Sequence, residues 1–256
     1  MIEQQRAWSH WRSIPTTVAV TTTMTWRDLF TGRTGGLDDI HQRLCAMLDI
    51  NRHTLTLGVG GLLGTTDPTT LSDRARRSDD RVDDLARDVR RELVIHASVR
   101  GAHTDLPATL AAMSVVKDIQ RIGDRATGLV RLARIHGHFT PHQPQHAQLA
   151  AYRRRLDAHV AAARDALRTH SPSIADGLTA QTIALTDELD LAIDLLVITE
   201  NDATTDQTAT ALAYHHLSRV AAHLTNIATA VALPLDHLDD HEGRDGLRAR
   251  DVNAAI

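Results

Sequence analysis

The chain has 256 residues, of which 42% are hydrophobic and 3% aromatic. That is enough apolar content for one large core or two small ones, and too much for a disordered or collagen-like chain. The formal net charge is −4 with acids and bases interleaved, which argues against the concentrated basic face of a nucleic-acid binder. A single cysteine, Cys45, excludes an internal disulfide, and no stretch reaches the roughly 18 uninterrupted apolar residues of a membrane span. The expected location is the cytoplasm, with a membrane reached only through a protein partner.

In chain order, residues 1–36 are Trp/Thr-rich, poorly periodic and end in Thr31-Gly32-Arg33-Thr34-Gly35-Gly36, the composition of a flexible arm. From Leu37 the breaks are few: Asp67-Pro68, Gly101 to Pro107, Pro141 to Pro144, Ser171-Pro172, Asn201-Asp202 and Pro234. They cut out six segments of roughly 25–35 residues, too long and too Ala/Leu-rich for strands, so helix is expected throughout. The first segment carries Gly58-Val59-Gly60-Gly61-Leu62-Leu63-Gly64. This run lacks the strand that precedes a phosphate-binding loop and is read as a close helix crossing. The second buries a stripe of Leu71, Ala75, Val82, Leu85, Val89 and Leu93. The third does so with Leu106, Leu110, Met113, Val116, Ile119, Ile122, Ala126 and Leu129, and the sixth with Leu212, Leu217, Val220, Leu224, Ile227 and Val231. Asp67-Pro68, Asp105-Leu106-Pro107 and Ser171-Pro172 read as helix starts, a polar cap followed by proline in the first turn. Such helices pack as antiparallel bundles.

Ile119-Gln120-Arg121-Ile122-Gly123-Asp124-Arg125-Ala126-Thr127 repeats, offset by 98 residues, as Leu217-Ser218-Arg219-Val220-Ala221-Ala222-His223-Leu224-Thr225. Two three-helix units follow, with the polar pair Gln120 and Asp124 exchanged for Ser218 and Ala222 in the second. The expected organisation is an arm over 1–36, a first bundle over 37–140, a second over 145–235 and a tail over 236–256. For chemistry, Asp79 and Asp83 stand one turn apart on the second segment. They form either a salt-bridged face with Arg76, Arg77, Arg81 and Arg87 or one side of a hard-cation site. Asp124, one turn after Gln120 and beside Gly123, is the second candidate, and Gly123 allows a close approach to its backbone. His215, His216 and His223 have few carboxylates nearby and are expected at the surface or as caps. A zinc-protease motif, a Walker loop, a Glu-x-x-His pair and a nucleophile elbow are all missing from the sequence, so an enzyme is not expected.

Val116-Lys117-Asp118-Ile119-Gln120-Arg121-Ile122-Gly123-Asp124-Arg125-Ala126-Thr127 resembles the signature helix of the PhoU family of phosphate-transport regulators. Asp79-Asp80-Arg81-Val82-Asp83-Asp84-Leu85 resembles that family's second helix, and Thr225-Asn226-Ile227-Ala228 the end of its repeated signature. The resemblance spans about Leu37 to Leu235. It implies an all-α fold of two tandem three-helix bundles. The implied role is that of a non-enzymatic adaptor between a phosphate transporter, through its ATPase subunit, and a sensor histidine kinase, with a homodimer allowed. It further implies a divalent or iron-type metal ion held in the first bundle by Asp79, Asp83 and Asp124, with Gln120 standing where an acid is expected. In the second bundle Thr186, Ser218 and Ala222 replace acids and only Asp190 remains, so that metal site is expected to be lost. Two alternatives stay open, a divalent-metal-binding helical bundle and a regulator of a different anion transporter.

Overall fold

The computed structural model describes Trp26 and residues 37–100, 102–198 and 204–233. These form six helices: α1 (Leu37–Leu62), α2 (Pro68–Arg100), α3 (Ala102–His136), α4 (Pro144–Thr169), α5 (Pro172–Ile198) and α6 (Thr205–Ala232). No strand occurs among the described residues. The fold is all-α, two tandem three-helix bundles, α1–α3 and α4–α6, joined where α1 packs on α4 and α3 on α6. One continuous apolar core runs through both, from Trp26 and Ile40 to Val231. Helix α6 packs against α3, α4 and α5, and more than half of its residues are buried. Its Ala- and Thr-rich faces, with Ala213, Ala221, Ala228 and Thr225 all buried, let those neighbours approach.

The helix ends follow from local chemistry. Gly64 at φ 68° and Gly137 at φ 89° take the left-handed conformation just past α1 and α3, where a side chain would be strained. The Ser171 hydroxyl accepts from the Ile174 amide at the start of α5. Thr204 and Gln207 form a reciprocal capping box at the start of α6, which satisfies two otherwise orphaned donors. The first bundle is closed by α1 against α3 at the glycine run. A Cβ on Gly58 would lie 2.9 Å from Leu129 Cβ and 3.1 Å from the Ala126 carbonyl oxygen, and one on Gly61 would lie 2.8 Å from Ala133 Cβ. The run is therefore a helix crossing, as its missing strand suggested.

Two expectations are corrected. Helix α3 begins at Ala102 rather than at Asp105-Leu106-Pro107, so Pro107 lies inside it, where its missing N–H costs one hydrogen bond close to a helix end. Leu110 and Leu212 are 58% and 46% exposed, although the rest of the stripes is buried or half-buried wherever the side chains are described. The row Leu110, Met113, Val116, Ile119, Ile122 advances by three residues each time and so slips by about 60° per step around a 3.6-residue helix. Its first member cannot share a face with its last, and Leu212 is similarly off the face that Leu217 and Leu224 share. Leu106 lies outside the residues whose side chains are described. The expected flexible arm over 1–36 lies outside the described residues except for Trp26, which is fully buried in the core. A buried indole supplies a large apolar contact, so the chain is anchored at that point. The expected tail over 236–256 lies outside the described residues.

Candidate functional site

Asp79 and Asp83 project from α2 and Asp124 from α3, the two helices that pack side by side in the first bundle. They are close enough to interact: the Asp79 carboxyl is held above its ordinary range first by burial and then by the charges of Asp83, Asp124 and Asp80. What ties this face together is not an acid but Gln120. Its amide nitrogen donates to Asp83 Oδ1 at 2.7 Å, and its carbonyl oxygen accepts from Nη2 of Arg90. Arg121 pairs with Asp124 at 3.3 Å, both partners more than half exposed. Among the described residues no three His, Cys, Asp or Glu side chains are placed to hold a metal ion. As a donor set for a hard cation the face does not fit, because an amide N–H occupies one carboxylate oxygen and a guanidinium already supplies positive charge.

In the second bundle, Ser218 on α6 donates to Asp190 Oδ1 on α5 at 2.7 Å. Thr186, in place of the other acid on α5, turns its hydroxyl back onto the Thr182 carbonyl at 2.9 Å. The surviving carboxylate is thus held by a neutral donor on the third helix of its bundle, as Asp83 is in the first.

The opening that Gly123 leaves is filled by a helix. A Cβ there would lie 2.9 Å from Asn51 Oδ1, and the buried Asn51 side chain donates to the Ile119 carbonyl at 2.6 Å, locking α1 onto α3. Two of the three histidines, His216 and His223, depart from the surface placement expected of them. His223 is 8% exposed, and its Nδ1 donates to Asp118 Oδ1 at 2.8 Å across the seam between α6 and α3. Asn226 donates to the same oxygen at 3.1 Å. His216 is half-buried over Gly128, where an added Cβ would meet its Cε1 at 2.5 Å. Burial, with Arg125, His215 and Arg131 nearby, pushes its pKa down to about 4. His215 alone of the three is exposed.

Asp118, Arg52 and Asp157 were not singled out by sequence reasoning. Arg52 on α1 grips Asp157 on α4 through two hydrogen bonds of 2.6 Å, which holds the Asp157 carboxyl below its ordinary range. The signal for Asp118 was present: it falls on the face that carries Ala111, Val115, Ile122 and Leu129, all fully buried. A carboxylate in such a row needs a buried partner. Cys45 is a free, buried thiol whose pKa is raised to about 11 by burial, which leaves it unreactive. An open cleft of about 870 Å³ lies between α1 and α2, lined by both signs of charge, Arg74, Arg77 and Arg81 with Asp49, Asp80 and Asp84.

Residues 62–133, covering the last residue of α1, all of α2 and most of α3, match the family model of the PhoU domain. The fold is similar to the crystal structure of PhoU from Pseudomonas aeruginosa, with a TM-score of 0.66 and 24% identity, over 77% of this chain and 95% of that one. It is also similar to the phosphate transport system regulatory protein PhoU from Streptococcus pneumoniae, with a TM-score of 0.65 and 16% identity, over 80% of this chain and 95% of that one. Among curated proteins none matches. Residues 62–133 thus match the PhoU domain, and the two-bundle fold around them is similar to that of two PhoU crystal structures.

Proposed function

We propose that this chain is a PhoU-type regulator of phosphate uptake and phosphate-starvation signalling. It acts as a non-enzymatic cytoplasmic adaptor between the ATPase subunit of a phosphate transporter and a sensor histidine kinase. The observation that carries the reading is the pairing of a PhoU-domain match at residues 62–133 with a fold that covers 95% of each of two PhoU chains. The polar groups support it as well. Asp83, Gln120 and Arg90 form one hydrogen-bonded set between α2 and α3, and Asp118, His223 and Asn226 another between α3 and α6, the arrangement of packing elements rather than of groups presented to a substrate.

The test is affinity capture of the tagged full-length chain from its own cells grown in abundant and in scarce phosphate, with partners identified by mass spectrometry. Phosphate-dependent recovery of a transporter ATPase or a histidine kinase is the expected result. Recovery of the ATPase of a different anion transporter would assign the same adaptor role to another pathway, and recovery of neither would overturn the reading.

A further inference from the structure

We infer that this chain closes both of its helical hairpins without a metal, using hydrogen bonds from neutral side chains, and that Arg90 serves as the built-in counter-charge of the first. The inference stands on the geometry of the hairpins and is independent of the adaptor role. In the first bundle the α2–α3 contact carries three neighbouring carboxylates, Asp79, Asp83 and Asp124. Such a face needs positive charge or solvent to offset its mutual repulsion. A cation held between two helices would both offset that charge and cross-link them.

Here both tasks are covered by side chains. Gln120 bridges the hairpin, receiving Arg90 of α2 on its carbonyl oxygen and donating its amide to Asp83 of α2. Arg90 brings a permanent positive charge to that end of the network, and Arg121 brings another to Asp124. The second bundle repeats the device with different residues. Ser218 of α6 donates to Asp190 of α5, and Thr186 satisfies its own hydroxyl on the helix backbone. Gln120 and Ser218 occupy equivalent positions of the internal repeat, and in each copy that neutral donor is bonded to a carboxylate on the middle helix of its bundle. A Gln amide and a Ser hydroxyl can donate where a carboxylate would only accept. That difference turns a repelling pair into a bonded one.

The experiment uses the full-length chain, purified without a metal-chelating tag. Thermal unfolding is measured with EDTA and with Mn²⁺, Zn²⁺ or Fe²⁺ added, and bound metal is determined by elemental analysis beside Asp83→Ala and Gln120→Glu. The wild-type chain is expected to hold no stoichiometric metal and to unfold at the same temperature in EDTA as in Mn²⁺. Gln120→Glu, which restores a carboxylate beside Asp83 and Asp124, is expected to unfold at lower temperature in EDTA and to recover when Mn²⁺ is added. Stoichiometric metal in the wild-type chain that is lost in Asp83→Ala would overturn the inference. So would a Gln120→Glu variant whose unfolding temperature in EDTA equals that of the wild type, since the amide bridge would then do nothing. Should Gln120→Glu fail to fold, Arg90→Gln is the second probe. A lowered unfolding temperature that added Mn²⁺ partly restores supports the role of Arg90, and an unchanged one refutes it.

Discussion

Replacing Gly58 by alanine should destabilise the protein even though alanine is the better helix former. In an exposed helix interior, glycine to alanine gains about 1 kcal/mol. At Gly58 the new methyl would lie 2.9 Å from Leu129 Cβ and 3.1 Å from both the Ala126 carbonyl oxygen and the Val130 amide nitrogen. Two of those three are backbone atoms of α3 that cannot rotate away, so the helices must separate along a contact that holds the first bundle shut. Because backbone must move, the overpacking cost falls at the upper end of about 1–3 kcal/mol, about 2–3 kcal/mol, leaving a net loss of about 1–2 kcal/mol. Gly177, on α5, is the control, because it is exposed and a Cβ there would have nothing within 4 Å. Gly177→Ala should therefore gain about 0.5–1 kcal/mol. Urea unfolding of both variants, with the slope unchanged and the midpoints moving in opposite directions, is the expected result. At this size each kcal/mol corresponds to about 2–4 °C in Tm. A Gly58→Ala protein as stable as the wild type, with Gly177→Ala behaving as expected, would refute the account of the crossing.

Further outcomes can be measured in the same way. Asp118→Ala strands the buried donor of His223 and the half-buried one of Asn226 and should cost about 1–3 kcal/mol; a urea midpoint unmoved from the wild type would show that the seam does not depend on this carboxylate. His216 is neutral in the fold because its pKa is pushed from 6.5 down to about 4, so below the unfolded value the unfolded chain binds the proton that the folded chain resists. Its contribution to stability is complete above pH 6.5 and is lost as the pH falls toward 4. His216→Gln should accordingly lose less stability than the wild type across that window, and parallel pH profiles would contradict the burial argument. Arg77 and Arg81 line the α1–α2 cleft, and neither forms an ion pair among the described residues. Both are exposed, so charge reversal at both should leave the urea midpoint within about 0.5 kcal/mol of the wild type, and a larger loss would show that the charges of this cleft are coupled to the fold.

Much of this architecture is legible in the order of residues alone. Periodic apolar stripes, sparse Pro/Gly breaks and the 98-residue repeat are local or self-similar features, and they specify six helices and two bundles because helix periodicity needs only neighbours three and four positions away. The Ser171 start of α5 and the glycine crossing are legible for the same reason, since a cap and a missing Cβ act where they stand. Partner choice is a different matter. Gln120 is an anomaly in the sequence, and only packing shows that its two ends meet Arg90 and Asp83, 30 and 37 residues away. His223 looks like a surface histidine until α6 is laid against α3 and Asp118, 105 residues distant, takes its proton donor. Such pairings depend on the rotation and offset of one helix against another. Those are set by the summed packing of Gly58, Gly61, Gly123, Gly128 and the core around them, and no stretch of chain contains that sum.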